Sequence, residues 1–201
     1  MWHSIGQGLE RIIGAPLDSD DLSYFYSAPP LALAQHFTQK YGDHVDQDGV
    51  VFLTQKTALD FYQNQVKARS GSLGLVQRLH DLGYRLAVAS AAPLVYLEAG
   101  LGSAGLTPYF SRIISAADWD MHKSDPGFYL RVCECIGVES GLSWGIDDSA
   151  VALKAMRGAG LSTVGIHEPW NESCTFGDLQ AIADVAVHEF SELPEDLFAA
   201  G

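Results

Sequence analysis

Four side chains of this sequence belong to types that together suit phosphoryl chemistry. The adjacent carboxylates of Asp147 and Asp148 are hard oxygen ligands for Mg²⁺, an ion that takes one or two carboxylates together with substrate phosphate. Lys123 offers a positive point charge to phosphoryl oxygens, and Ser90 offers a hydrogen bond to the same group. These residue types predict a site for Mg²⁺ and a small phosphorylated metabolite.

Each of these residues follows an apolar run of strand length. Ser90 ends the run 84–90, the aspartate pair ends the run 143–147, and Lys123 comes after the short run 112–115. Ligands of open α/β sheets lie beyond the carboxyl ends of the strands. We therefore expect these side chains to converge on one edge of a parallel sheet.

Taken singly, the same residues have ordinary structural interpretations. Ser90 fits a turn hydroxyl that satisfies local backbone groups, and Lys123 fits a solvated surface lysine. The aspartate pair with Ser149 fits the N-cap of a following helix. Their order at successive strand ends is what favours a shared site.

Residues 71–201 are predicted to form an α/β core. Apolar runs of strand length alternate there with amphipathic helices, a pattern typical of a doubly wound, Rossmann-like parallel sheet covered on both faces. Strands are predicted at 84–90, 112–115, 143–147, 162–166 and 185–187, and helices at 73–82, 92–104, 126–136, 150–158 and 176–182.

Residues 1–70 are predicted to form a helical, cap-like module. Apolar residues recur at helical spacing from Ile5 to Ile13, and further helices are expected at 31–41 and 54–66. The segment 68–74, rich in glycine and serine, is typical of a linker or turn.

Composition narrows the classes of partner. The chain has 201 residues, 47% of them hydrophobic, which is enough for a real core. Acidic residues outnumber basic ones by 25 to 12, for a formal net charge of −13. A field of that sign disfavours binding to nucleic acid or to a membrane surface.

The expected setting is cytoplasmic. No signal peptide is apparent, and the three cysteines lack the spacing of a zinc site. Tyr24 and Phe25 in the helical module suit a core or an interface, which leaves a homo-oligomer open.

Three segments resemble motifs of the haloacid dehalogenase-like (HAD) hydrolases. Residues 83–90 resemble the second motif, whose serine or threonine binds the transferring phosphoryl group. Residues 123–129 are similar to the third motif, lysine-proline-any-proline-any-any-tyrosine, with Ser124 in place of the first proline. Residues 146–149 with 155–160 resemble the fourth motif, whose acidic pair serves magnesium.

Residues 71–187 as a whole look like the helical-cap branch of that family, which includes phosphoglycolate phosphatases and β-phosphoglucomutases. The resemblance implies a Mg²⁺-dependent phosphatase for a small phosphomonoester, of the sugar phosphate or phosphoglycolate type. In the family an aspartate attacks phosphorus, and water hydrolyses the resulting aspartyl-phosphate. The resemblance assigns catalytic roles to Ser90 and Lys123 and metal binding to Asp147 and Asp148.

The family's first motif is not found near the start of this sequence. In the family, the nucleophile is the first aspartate of an Asp-x-Asp pair that ends the first core strand. Residues 1–10 of this sequence instead resemble a cap helix that follows the motif. Three other pairs occur, at Asp46/Asp48, Asp18/Asp20 and Asp118/Asp120.

None of these pairs fits the nucleophile's setting well. The first pair matches the motif best, but the residues before it, 41–45, are poor strand material. The second pair suits a helix N-cap. The third follows the second motif and is therefore out of order. The sequence favours the absence of a nucleophile, with Asp46/Asp48 as the next alternative and Asp18/Asp20 after it.

Two functions follow from this conflict. One is the Mg²⁺-dependent phosphatase that the resemblance implies. The other is a catalytically impaired or truncated relative that keeps a phosphate and Mg²⁺ pocket for a binding or regulatory role. Without a nucleophile, covalent catalysis should lose most of its rate.

The strand that carries the first motif would lie between the strands that end at Ser90 and Asp147. Without it, the backbone groups of both neighbours need other partners. Either the sheet closes up, or a segment within 40–54 fills the position, or a partner chain supplies a strand. The run 49–53 is the best strand candidate nearby.

Overall fold

The computed structural model describes residues 2–171 and 173–198. The chain divides into two compact units, residues 1–66 and 67–201. No helix in the described part of the chain is long and apolar enough to cross a bilayer.

The N-terminal unit is helical. Its helices are α1 (Trp2–Ile13), α2 (Ser19–Ser27), α3 (Pro30–Tyr41) and α4 (Gln47–Asn64). Their apolar faces bury a core that includes Leu9, Leu33, Phe37 and Val50, each at most 1% exposed. Most of the spacing that predicted helices here reflects this core.

The alternative in which the run 49–53 forms a strand is wrong, because those residues lie inside α4. Asp46 begins this helix by accepting a hydrogen bond from the Gly49 N–H at 2.9 Å. The cap satisfies one of the N–H groups that the first turn of a helix leaves free. The run 49–53 therefore fills no position in a sheet.

A buried carboxylate ties α2 to α3 in this unit. Asp21 is fully buried, and its Oδ2 accepts hydrogen bonds from the Tyr41 hydroxyl at 2.6 Å and the Asp18 N–H at 3.0 Å. Its Oδ1 accepts from Lys40 Nζ at 2.9 Å and lies 2.9 Å from His36 Nε2. Burial by itself raises the pKa of Asp21, but the hydrogen bonds from Tyr41 and Lys40 outweigh it and hold that pKa below its ordinary 3.8.

The C-terminal unit alternates helices and strands. Its elements are α5 (Ser72–Asp81), β1 (Ala87–Ser90), α6 (Leu94–Ser103), β2 (Arg112–Ser115), α7 (Pro126–Ile136), β3 (Trp144–Asp147), α8 (Ala150–Gly158), β4 (Ser162–Ile166), α9 (Phe176–Ile182) and β5 (Val185–Val187). The predicted α/β class with parallel strands is confirmed. The first strand begins three residues later than expected, at Ala87.

The strands form two parallel sheets instead of one. β1 pairs with β2, so that Ser90 and Ser115 lie in register. β3, β4 and β5 form the second sheet in that order, with Asp147 opposite Gly165. In residues 67–171 and 173–198 no ladder joins β1 to β3, so the sheet has not closed up.

Replacing Asp21 by asparagine should destabilise the N-terminal unit by about 2 kcal/mol at pH 7, because charge-assisted hydrogen bonds from Lys40 and Tyr41 are lost. The folded pKa is depressed, so the native protein holds this stabilisation above about pH 5 and loses it as the pH falls below 3.8. Urea unfolding followed by circular dichroism from pH 3 to 7 measures both effects.

The control is Asp43→Asn, an exposed position of the same unit, which should change stability by less than about 0.5 kcal/mol. Equal stability of native protein and Asp21→Asn at pH 7 would contradict this account.

Candidate functional site

The site is built at the carboxyl ends of the strands. Ser90 is the last residue of β1 and Asp147 the last residue of β3. The Ser90 hydroxyl is half-buried and accepts a hydrogen bond from the Ala92 N–H at 3.2 Å. Its oxygen thus holds the turn into α6, while the hydroxyl proton stays available to a ligand.

Lys123 and Asp147 contact each other directly. The Lys123 ammonium donates to Asp147 Oδ2, and the two side chains are only 24% and 9% exposed. Asp147 Oδ1 accepts from the Ser149 N–H at 2.9 Å. The ion pair therefore fixes a positive and a negative group side by side at the end of β3, sheltered from water.

Asp148 is held by a residue that the sequence did not single out. Asn171 Nδ2 donates to Asp148 Oδ2 at 2.9 Å and to the Asp148 carbonyl at 3.2 Å. Asn171 lies in the loop after β4, at the same edge of the sheet as the end of β3. The strand-end rule that led to the other residues applies to this loop as well.

Tyr129 was also missing from the predicted site. It is 2% exposed, and its hydroxyl is buried without a hydrogen-bond partner among the described residues. Burial raises the pKa of this phenol, and the charge of Asp147 raises it further. A buried hydroxyl without a partner costs stability, which sets Tyr129 apart from the other buried side chains near β3.

The structure brings some of the predicted residues together and separates others. Lys123 and Asp147 form a contact, and Asp148 follows Asp147 in the sequence. Ser90 belongs to the other sheet, and within the described residues its hydroxyl has no hydrogen bond to any of these three.

The alternative nucleophile pairs do not end strands. Asp46 caps α4, and Asp18 caps α2 by accepting from the N–H groups of Asp20 and Asp21, each at 3.0 Å. Asp118 lies in the turn that follows β2, where its N–H donates to the Ser115 hydroxyl at 3.2 Å. The helix-cap interpretation of Asp18 is confirmed.

The carboxylate oxygens at the end of β3 are ligands of the type that an open Mg²⁺ site uses. Asp147 and Asp148 present carboxylate oxygens, and Mg²⁺ commonly takes one or two carboxylates and completes its octahedron with water and phosphate. No group of three or more His, Cys, Asp or Glu residues suited to a metal occurs in the described chain. The two aspartates thus fit an ion shared with a ligand and do not fit a closed protein site.

Comparison with known proteins gives the class of this chain. The profile of the haloacid dehalogenase-like hydrolases matches residues 5–160. The chain is 26% identical over 190 residues to the validoxylamine A 7′-phosphate phosphatase of Streptomyces hygroscopicus subsp. limoneus, covering 92% of this chain and 84% of that protein.

Solved structures show the same fold. A putative beta-phosphoglucomutase from Thermotoga maritima aligns with a TM-score of 0.73 and 18% identity, covering 98% of this chain and 89% of that one. CbbY from Rhodobacter sphaeroides, solved in complex with phosphate, aligns with a TM-score of 0.72 and 18% identity, covering 96% and 88%.

The chain therefore belongs to the haloacid dehalogenase-like hydrolases. Because the profile covers most of its length, the family assignment made from the three motifs is confirmed.

The Lys123–Asp147 contact should be energetically coupled. A double-mutant cycle with Lys123→Met and Asp147→Asn should give a coupling energy of about 2 kcal/mol in urea unfolding, because both groups are sheltered. The comparison cycle is Arg157→Met with Asp184→Asn, a pair that is 47% and 39% exposed, with less than about 1 kcal/mol expected. Equal coupling in the two cycles would show that the site pair is no better sheltered than a surface pair.

Proposed function

We propose that this chain is a Mg²⁺-dependent phosphatase that acts on a small phosphomonoester of the sugar phosphate or phosphoglycolate type. The observation that supports this most is the sheltered Lys123–Asp147 pair at the end of β3, in a chain of the HAD-like hydrolases. A phosphate group there would meet a fixed positive charge beside carboxylates that can share a cation with it.

Each residue has a distinct task in this proposal. Lys123 holds its charge near the phosphoryl oxygens, where charge grows during transfer. Ser90, at the end of β1, donates its hydroxyl proton to the same group. Asp147 orients Lys123 through their contact, and Asp147 and Asp148 would hold Mg²⁺, which supplies charge neutralisation at phosphate oxygens.

The similar proteins support a phosphorylated ligand. One relative is named as a phosphatase of validoxylamine A 7′-phosphate, and the CbbY structure was solved with phosphate. Both are compatible with a small metabolite and with the acidic charge of −13, which disfavours nucleic-acid substrates.

A second function is favoured by the setting of the carboxylates. In the described chain no Asp-x-Asp pair ends a strand, and Asp18 and Asp46 cap helices. The second candidate is therefore a relative that binds phosphate and Mg²⁺ without turnover, in a binding or regulatory role.

The first test is release of inorganic phosphate from a panel of sugar phosphates and phosphoglycolate, with and without Mg²⁺. The proposal predicts Mg²⁺-dependent turnover that Lys123→Met and Asp147→Asn each reduce about 100-fold, since the first removes the charge beside the phosphoryl oxygens and the second removes a Mg²⁺ ligand that also orients Lys123. The matched control is Lys154→Met, an exposed lysine on α8, which should retain native activity.

The binding or regulatory function predicts no turnover, but like the phosphatase it predicts that phosphate binds with Mg²⁺. Inorganic phosphate with Mg²⁺ should raise the melting temperature of the native chain, because a ligand of the folded state stabilises it. Lys123→Met should abolish that rise and Lys154→Met should not. A rise without turnover identifies the binding protein, and the absence of both contradicts a phosphate site here.

A further inference from the structure

Two histidines face each other where the last two strands end. His167 follows β4 and His188 follows β5, and these strands are neighbours in one parallel sheet, with Ile166 opposite Val187. The two Nδ1 atoms lie 3.2 Å apart. His188 is exposed and His167 is partly buried, so a hydrated ion can reach the pair from solvent. Neither histidine has a part in the phosphate site proposed above.

The backbone is fixed at both positions. The His167 N–H donates to the Val187 carbonyl at 2.9 Å. Arg69 Nη2 donates to the His167 carbonyl at 2.7 Å and to the His188 carbonyl at 2.8 Å. One guanidinium therefore ties the end of β4 to the end of β5 and keeps the two histidines at a constant separation.

One aromatic ring orients both imidazoles. Phe176, the first residue of α9, stacks on His188 with the ring centroids 3.8 Å apart and 24° between the ring planes. It meets the His167 ring edge to face, at 5.8 Å and 75°. Side chains whose rotamers are set by their neighbours lose little freedom when they bind a ligand. The two imidazoles are thus preorganised.

The distance between the two Nδ1 atoms suits a single metal ion. A bond from Zn²⁺ to a histidine nitrogen is about 2.0–2.1 Å long, and two such bonds at a tetrahedral angle separate their nitrogens by about 3.3–3.4 Å. The observed separation of 3.2 Å is close to this value. In the metal-free pair one Nδ1–H donates to the other Nδ1. A cation in place of that shared proton is bound by both nitrogens and needs little change in their spacing.

The charges around the pair favour a cation. Glu168 and Glu189 lie 3.3 and 3.8 Å from Arg69, and Glu192 accepts from the His188 N–H at 2.9 Å. Three carboxylates thus accompany one guanidinium, which makes the local field negative. Among the described residues no group of three or more His, Cys, Asp or Glu is placed to hold a metal, so water or an external ligand completes the coordination of an ion bound here.

We propose that the Nδ1 atoms of His167 and His188 together bind one Zn²⁺ ion. Imidazole suits Zn²⁺, whereas Mg²⁺ prefers oxygen ligands, so this pair and the carboxylates at the end of β3 select different ions. β5 is three residues long and lies at the edge of its sheet, next to β4. An ion held by the residues that follow both strands fastens this short edge strand to its neighbour.

The probe is Zn²⁺ alone, titrated calorimetrically into the untagged full chain with Mg²⁺ in excess at the carboxylates of β3. We expect one Zn²⁺ per chain. His167→Ala and His188→Ala should each weaken the affinity at least about tenfold, because each removes one of the two protein ligands. The matched control is His80→Ala, at an exposed position of α5, which should bind Zn²⁺ as the native chain does.

Two further measurements locate the ion. In long-range ¹H–¹⁵N NMR spectra, Zn²⁺ should shift the Nδ1 signals of His167 and His188 together and leave those of His80 in place. Hydrogen exchange of the β5 amides should become slower, because the ion opposes local opening of the edge strand. A rise in melting temperature on addition of Zn²⁺ should accompany both effects and be absent from His188→Ala.

Three results would overturn the proposal. Unchanged Zn²⁺ affinity in both histidine variants, with a loss in Asp147→Asn, would assign the ion to the carboxylates of β3. Shifts at Nε2 without shifts at Nδ1 would show that the facing nitrogens are not the ligands. The absence of Zn²⁺ binding to the native chain would leave the histidines as a hydrogen-bonded pair only. His188→Gln keeps a polar side chain at this exposed position and should lose affinity as well, so the comparison stands even if His188→Ala fails to fold.

Discussion

An interior strand of a parallel sheet needs a hydrogen-bonding partner on each side, and this requirement governs the C-terminal unit. β2 pairs with one edge of β1, and β4 pairs with one edge of β3. The facing edges border an apolar cavity instead. Ser90 and Asp147, at the carboxyl ends of these strands, therefore lie on either side of the gap between the two sheets.

The chemistry at this edge rests on one sheltered ion pair. Lys123 lies in the loop after β2 and Asp147 at the end of β3, and their contact holds the Lys123 ammonium at the strand ends. Asn171, from the loop after β4, holds Asp148 beside it. Three separate loops thus converge because parallel strands present their carboxyl ends at one edge.

The sequence predicted the features that depend on local residue patterns and on the positions of strand ends. The helix at Pro30–Tyr41, the strand at Ser162–Ile166 and the convergence of Lys123 with Asp147 needed only periodicity and that rule. The run 49–53 was a strand candidate but is helical, because a short apolar run fits a strand and a buried helix segment alike. The Asp21 network was missed because its partners lie up to 20 residues away, and no local spacing indicates such a contact. The same holds for the unpaired hydroxyl of Tyr129, since burial without a partner becomes visible only in three dimensions.

The most direct test of the account is an NMR titration of the ¹⁵N-labelled chain with inorganic phosphate in the presence of Mg²⁺. The account predicts that the amide signals of Ser90, Lys123 and Asp147 shift together and saturate at one dissociation constant, because Ser90 and Lys123 meet the phosphate while Asp147 contacts Lys123 and would hold the Mg²⁺ bound with it. The helix-cap amides at Asp18 and Asp46 should stay in place. Saturable shifts confined to other residues, or none at these three, would contradict a phosphate site at the carboxyl ends of β1 and β3.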